Sequence, residues 1–233
     1  MNGVSIIIPT KGVPVFLDEC VNSILKNNID FPFEILIGID SCHETIYHIE
    51  KDKIFYKKTK IFYFDSHVGP YVIKNSLVGI ANYEYILFFD SDDIMTENML
   101  NNFYLRIKEF DIVRFNCRGF TDDITKLHKP IDLGIGVFGI KKTIFNSLVG
   151  FQEWICAADT EFYERSNRKN LKVSIVDDIS FFRRLHGNNL TLKKETKHGS
   201  EIRKEYVKII EEKILNNVWD NPIKSIFSFS VVN

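Results

Sequence analysis

Three carboxylates fall within four residues at Asp90-Ser91-Asp92-Asp93, directly behind the apolar run Tyr85-Ile86-Leu87-Phe88-Phe89. A short, wholly apolar run reads as a buried strand. Carboxylates crowded at its end repel one another and lose hydration, so a fold gathers them where a cation neutralises them. The carboxyl end of a strand in an α/β sheet is also where ligands bind. Asp90, Asp92 and Asp93 are therefore candidates to hold a divalent metal, and through it the phosphates of an activated substrate. The competing reading is a polar turn in which Asp93 or Thr96 starts the next helix. A turn alone does not call for three acids behind so apolar a strand.

The surrounding chain must position this turn, and its first half alternates strands with helices. Val4 to Ile8 is a β-branched run ended by Pro9-Thr10-Lys11-Gly12, and Phe16, Leu17, Val21, Ile24 and Leu25 then recur at helical spacing. Strands are expected over 34–39 and 61–64, with helices near 45–50 and over 70–82. Repeated strand–helix units argue for a mostly parallel, twisted sheet covered by helices. The second half is less regular. Helices are expected over 95–110, 141–148 and from Asp159, and strands over 111–120, 171–176 and 179–184. The stretch 126–132 reads as a strand or a loop, and 134–139 as a glycine-rich segment. Residues 199–219 read as a charged amphipathic helix anchored by Ile202, Val207, Ile210 and Ile214. The tail from Ile226 to Val232 alternates apolar and polar residues. It suits packing on the domain's own body, an edge strand, or a docking segment through which copies of the chain would form a homo-oligomer.

A chain of 233 residues with 45% hydrophobic content can build a substantial core. Its formal net charge of −1 gives no whole-molecule attraction to nucleic acid or to an anionic membrane. Four cysteines without a C-x-x-C pair indicate neither a zinc site nor a disulfide framework. With no signal-like or membrane-spanning segment, the expectation is a cytoplasmic protein that can still work at a membrane periphery.

Several separated segments together resemble family 2 glycosyltransferases of the GT-A fold. They are Val4 to Thr10, Glu34 to Ser41, Gly69 to Asn75, Asp90 to Asp93, Val149 to Glu153, Ala158-Asp159 and Arg183 to His186, in the family's order over about residues 1–190. The resemblance implies a Rossmann-like, mostly parallel sheet over 1–195, with a C-terminal helical extension over 196–233 packed on the same domain. It implies a nucleotide-diphospho-sugar donor, usually a UDP-sugar, a Mn²⁺ or Mg²⁺ ion, and a glycan, lipid-linked or protein acceptor. Carried over position by position, Thr10 and Asp40 contact the base, Lys74 the phosphate, and Asp90 the ribose or the metal. Asp92, His186 and Asp93 hold the metal. Asp159 is the general base of an inverting transfer, with Glu161 in reserve. Ile39 stands where many members carry an acid, and Lys74 where the family often has Arg. Trp154 is a candidate stacking partner for an acceptor sugar, or a packing residue. Two rival readings remain: a nucleotide-sugar-binding pseudoenzyme, and a haloacid-dehalogenase-type phosphatase with Asp90 as nucleophile. The second places its acidic strand near the start of the chain, whereas here strand–helix units precede it.

Overall fold

The computed structural model describes residues 2–51, 55–128, 130–222, 224–225 and 227–232. Lys129 and Ile226, which fall in two of the segments read above, lie outside the described residues. Among the described residues nine strands form a single sheet. They are β1 (Val4–Thr10), β2 (Phe33–Asp40), β3 (Thr59–Phe64), β4 (Tyr85–Phe88), β5 (Ile94–Met95), β6 (Ile112–Phe120), β7 (Ile131–Lys141), β8 (Val173–Arg184) and β9 (Phe229–Val232). The sheet order is β5-β8-β6-β7-β4-β1-β2-β3-β9. The helices are α1 (Pro14–Leu25), α2 (His43–Lys51), α3 (Pro70–Ile80), α4 (Met99–Ile107), α5 (Lys142–Ser147), α6 (Ala158–Ser166) and α7 (Glu201–Asn216).

Strands β4, β1, β2 and β3 are mutually parallel, with Ile6 opposite Ile35 on one side and Leu87 on the other. From β1 the chain moves outward through β2 and β3, then returns to lay β4 on the opposite side of β1. That reversal opens a crevice at the carboxyl ends of β1 and β4, where α/β sheets take ligands. The central strands are apolar on both faces because helices cover both. Ile6 and Ile8 face α1, α2 and α4 in one core layer, and Ile7 faces α3, α5 and α6 in the other.

The second layer is built from phenylalanines. Phe88 on β4 lies 5.1 Å from Phe138 on β7 and 5.2 Å from Phe151, and Phe151 lies 4.9 Å from Phe162 on α6. Each buried ring contributes about 1.5–3 kcal/mol of transfer free energy, and each ring pair about 0.5–1.5 kcal/mol more. Asn75 on α3 fastens the loop before α6 to this layer. Its amide donates to Phe151 O at 3.0 Å and its Oδ1 accepts from Phe151 N at 2.9 Å.

The second half of the chain departs from its periodicity. The glycine-rich segment lies within one long strand, β7, antiparallel to both β4 and β6. The two short strands expected over 171–184 are one, β8, which absorbs its irregularity as register shifts against Phe115, Asn116 and Cys117. Residues 94–95 pair with β8 instead of starting a helix, so α4 begins only at Met99. In α7 only Ile210 of the four expected anchors is buried; Val207 and Ile214 are exposed and Ile202 is intermediate. The helix is held instead by Tyr206, stacked on Trp154 at 4.5 Å, and by Arg203, whose Nε donates to Thr196 O at 2.7 Å. The tail pairs as β9, antiparallel to β3, with Phe229 against Phe62 and Phe64. Among the described residues no helix is long and apolar enough to cross a membrane.

Candidate active site

A cavity of about 770 Å³ opens at the crevice, and Thr10, Asp40, Lys74, Asp90, Asp92, Asp93, Asp159 and His186 all line it. Eight residues from six separate stretches of sequence thus meet at one place. The strands and helices that deliver them follow from local chemistry. Strand β3 hands over to α3 through Gly69, at φ 83 and ψ 165, a region open almost only to glycine, and Pro70 then starts the helix. Strand β4 hands over to the acidic turn, which closes with the Asp93 N–H donating to Asp90 O at 3.2 Å.

The three acids of that turn have different fates. Asp92 Oδ2 accepts from Asn189 Nδ2 and meets His186 Nε2, both at 2.8 Å. Asp90 remains about two-fifths exposed and meets Lys74 Nζ at 3.2 Å. Asp93 is buried, and its Oδ1 accepts from the Arg184 N–H at 3.0 Å. Burial first, then the Asp92 and Asp90 charges, push the Asp93 carboxyl well above the usual carboxylate range. Burial first, then the charges of Asp93, Asp92 and Asp90, raise the Cys20 thiol beneath the turn well above its ordinary range. Arg184 secures the turn from behind: its Nε donates to Asp92 O at 3.1 Å, its far nitrogen meets Glu19, and Phe16 and Phe120 flank the guanidinium.

Lys74 is not the solvated helix lysine that α3 alone would suggest. It is 3% exposed, donates also to Gly136 O at 3.1 Å, and lies near the Tyr71 and Phe88 rings. A buried ammonium aimed at the cavity floor is placed for an anion. Asp40 is buried as well. Its Oδ1 accepts from Val68 N at 2.8 Å, and its Oδ2 accepts from Gly69 N at 3.2 Å and meets His67 Nδ1 at 2.5 Å. Three of about four acceptor positions are thereby filled, leaving one on Oδ1. Thr10 Oγ1 is buried at the cavity without a hydrogen-bond partner.

Asp159 occupies the first turn of α6, where its Oδ1 accepts from the Thr160 N–H at 2.8 Å. Burial and the Asp159 carboxylate beside it raise the Tyr71 phenol well above its ordinary range. Glu161, two residues on, is fully buried and paired with Arg165 through two 2.9 Å hydrogen bonds, away from the cavity lining. Its chemistry is structural. The Arg165 guanidinium also donates to Leu148 O and Gly150 O, fixing the loop that leads into α6. Trp154 has one face covered by Tyr206, so it serves to dock α7.

Sequence reasoning missed His67, Asn189, Arg184, Tyr71 and Gly136. The first two reach their aspartates across 27 and 97 residues of chain, so no local spacing marks them. Among the described residues no group of three or more His, Cys, Asp or Glu side chains is already arranged around a metal position. The donor set nevertheless fits a hard divalent ion. Asp92 and His186 offer oxygen and imidazole nitrogen side by side, and such ions take one or two protein ligands when phosphates supply the rest.

The parallel half-sheet, the antiparallel β7 beside it and the acidic turn at the crevice define a GT-A domain. Residues 5–172 match the family described as Glycosyl transferase family 2, and the chain belongs to that family. It is 28% identical over 108 residues to glycosyltransferase GlyG of Streptococcus pneumoniae serotype 4, and 32% identical over 123 residues to an uncharacterized glycosyltransferase of Mycoplasma genitalium. These matches cover 46% and 48% of this chain and 36% and 40% of those proteins, so the chain spans well under half of the curated relatives it matches. The fold is similar to that of S. aureus TarS, with a TM-score of 0.69 at 20% identity over 95% of this chain and 41% of TarS. A TarS 1–349 structure in complex with UDP-GlcNAc gives 0.70 at 18% identity, over 95% of this chain and 68% of that one.

Proposed function

We propose that this chain transfers a sugar from a UDP-sugar to an acceptor hydroxyl with inversion, assisted by a divalent metal. The observation that carries the reading is the placement of Asp92 with His186, and of Asp159, on one cavity at the sheet's switch point. TarS, which shares the fold, has been crystallised with UDP and with UDP-GlcNAc.

In this reading Asp40 and Thr10 hold the base. The remaining acceptor position on Asp40 Oδ1 suits the imide N–H of uracil, and the unpartnered Thr10 hydroxyl supplies a second contact. Lys74 compensates phosphate charge as a point charge. Asp92 and His186 hold Mn²⁺ or Mg²⁺, with Asp93 behind them, and Asp90 contacts the ribose. The ion supplies charge withdrawal from the diphosphate leaving group. Asp159 accepts the proton of the acceptor hydroxyl as that oxygen attacks the anomeric carbon from the face opposite the diphosphate.

The test joins binding to turnover. A thermal-shift screen with Mn²⁺ should show UDP and UDP-sugars raising the melting temperature above GDP and GDP-sugars, since a ligand of the native state stabilises it. Asp92→Ala should remove the Mn²⁺-dependent part. Asp159→Asn should keep donor binding and lose transfer. Unchanged transfer by that variant removes Asp159 from the chemistry, and UDP binding without turnover across an acceptor panel would mark a binding protein.

A further inference from the structure

Strand β7 carries three glycines at its centre, Gly134, Gly136 and Gly139, and none has the positive φ that would demand glycine. Space explains them instead. A Cβ on Gly134 would meet the Phe181 ring at 2.8 Å, and one on Gly139 the Phe103 ring at 2.0 Å, so both make room for the core. Gly136 differs. Its Cβ would point into the cavity, 3.1 Å from Asp90 Oδ2 and 3.7 Å from Asp159 Oδ2. Its carbonyl accepts from Lys74 Nζ at 3.1 Å, the same ammonium that meets Asp90. Gly136 is thus the bare floor of a slot whose two walls are carboxylates.

We propose that Gly136 is a specificity-determining residue: its missing side chain forms the subsite for the donor's pyranose ring. The inference rests on the function proposed above and deepens it. Asp90 stands on the nucleotide side of the slot and Asp159 on the acceptor side. The anomeric carbon lies between the diphosphate it leaves and the hydroxyl that Asp159 deprotonates, so the ring that bears it lies over Gly136. A methyl group at 136 would narrow the slot without breaking the fold, because Asp90 is exposed enough to give by the few tenths of an ångström required.

The measurement is calorimetric binding of UDP and of UDP-glucose and UDP-N-acetylglucosamine, with Mn²⁺, to the whole chain and to Gly136→Ala and Gly136→Val. One extra methyl in a fitted pocket changes discrimination by about 10- to 200-fold. Gly136→Ala should weaken the UDP-sugars by about that factor more than it weakens UDP, and Gly136→Val should abolish sugar-dependent binding. Equal weakening of UDP and UDP-sugar, or no weakening of either, overturns the assignment. Failure of the unmodified chain to bind any uridine nucleotide overturns the function itself, a result distinct from both. Melting temperatures of the variants show that the fold survives.

Discussion

Removing the carboxylate of Glu161 tests how α6 is held. Glu161 has no exposed surface, Arg165 is 5% exposed, and two 2.9 Å hydrogen bonds join them. Among the described residues the only other cation paired with Glu161 is Lys213, whose Nζ at 4.0 Å is too distant to donate a hydrogen bond. Glu161→Ala would leave the guanidinium buried without its counter-charge. Breaking such a pair from one side costs about 3–5 kcal/mol. For a domain of this size each kilocalorie moves the melting temperature by about 2–4 °C, so a fall of about 6–20 °C is expected. Against a usual total of about 5–15 kcal/mol that is a large share of stability. Urea unfolding at fixed pH measures it directly, and Glu161→Leu with Arg165→Met should recover part of the loss. Recovery stays incomplete because Leu148 O and Gly150 O lose their donor. A destabilisation below about 1 kcal/mol for Glu161→Ala would refute the reasoning. Assayed well below its lowered melting temperature, Glu161→Gln should retain transfer, whereas a base would not.

Two further predictions bear on charge. Lys74→Met should weaken UDP by tenfold or more at low salt, about 1.4 kcal/mol or greater, and should flatten the salt dependence of binding; unchanged affinity would exclude Lys74 from the phosphates. Burial alone would raise the Glu34 carboxyl, but hydrogen bonds from Lys60, Asn82 and Ser5 outweigh it and hold the group below its ordinary value of 4.5. A depressed acid stabilises the fold above its unfolded pKa and loses that contribution as pH falls through the folded one. Thermal melts from pH 6 to pH 3 should therefore fall more steeply in the unmodified protein than in Glu34→Gln below about pH 4.5.

The parallel half was legible because its strands are buried on both faces. Val4 to Ile8, interrupted only by Ser5, Ile35 to Ile39 and Tyr85 to Phe89 are apolar runs, and their order with the helices implies the sheet. The GT-A architecture and the family were readable from the same segments. Strand β7 was opaque because Gly134, Gly136 and Gly139 remove the β-branched signal where ring packing and the slot need space. The anchors of α7 were misjudged because periodicity finds an apolar stripe but not what covers it. Here a stacked aromatic pair and one arginine do the holding, and most of the stripe stays open. Glu161 shows the same limit: an acid near a catalytic motif looks available until its buried guanidinium partner is seen.

The phenylalanine layer joins β4, which leads into Asp90, to α6, whose first turn carries Asp159. The two carboxylates are therefore registered against a single close-packed aromatic block, and the stacking of its rings sets the gap between the elements that carry them. For the transfer proposed above, trimming Phe151 or Phe162 would detune turnover although every side chain that meets a substrate is retained, so inhibitory lesions of this protein can lie where no ligand ever goes.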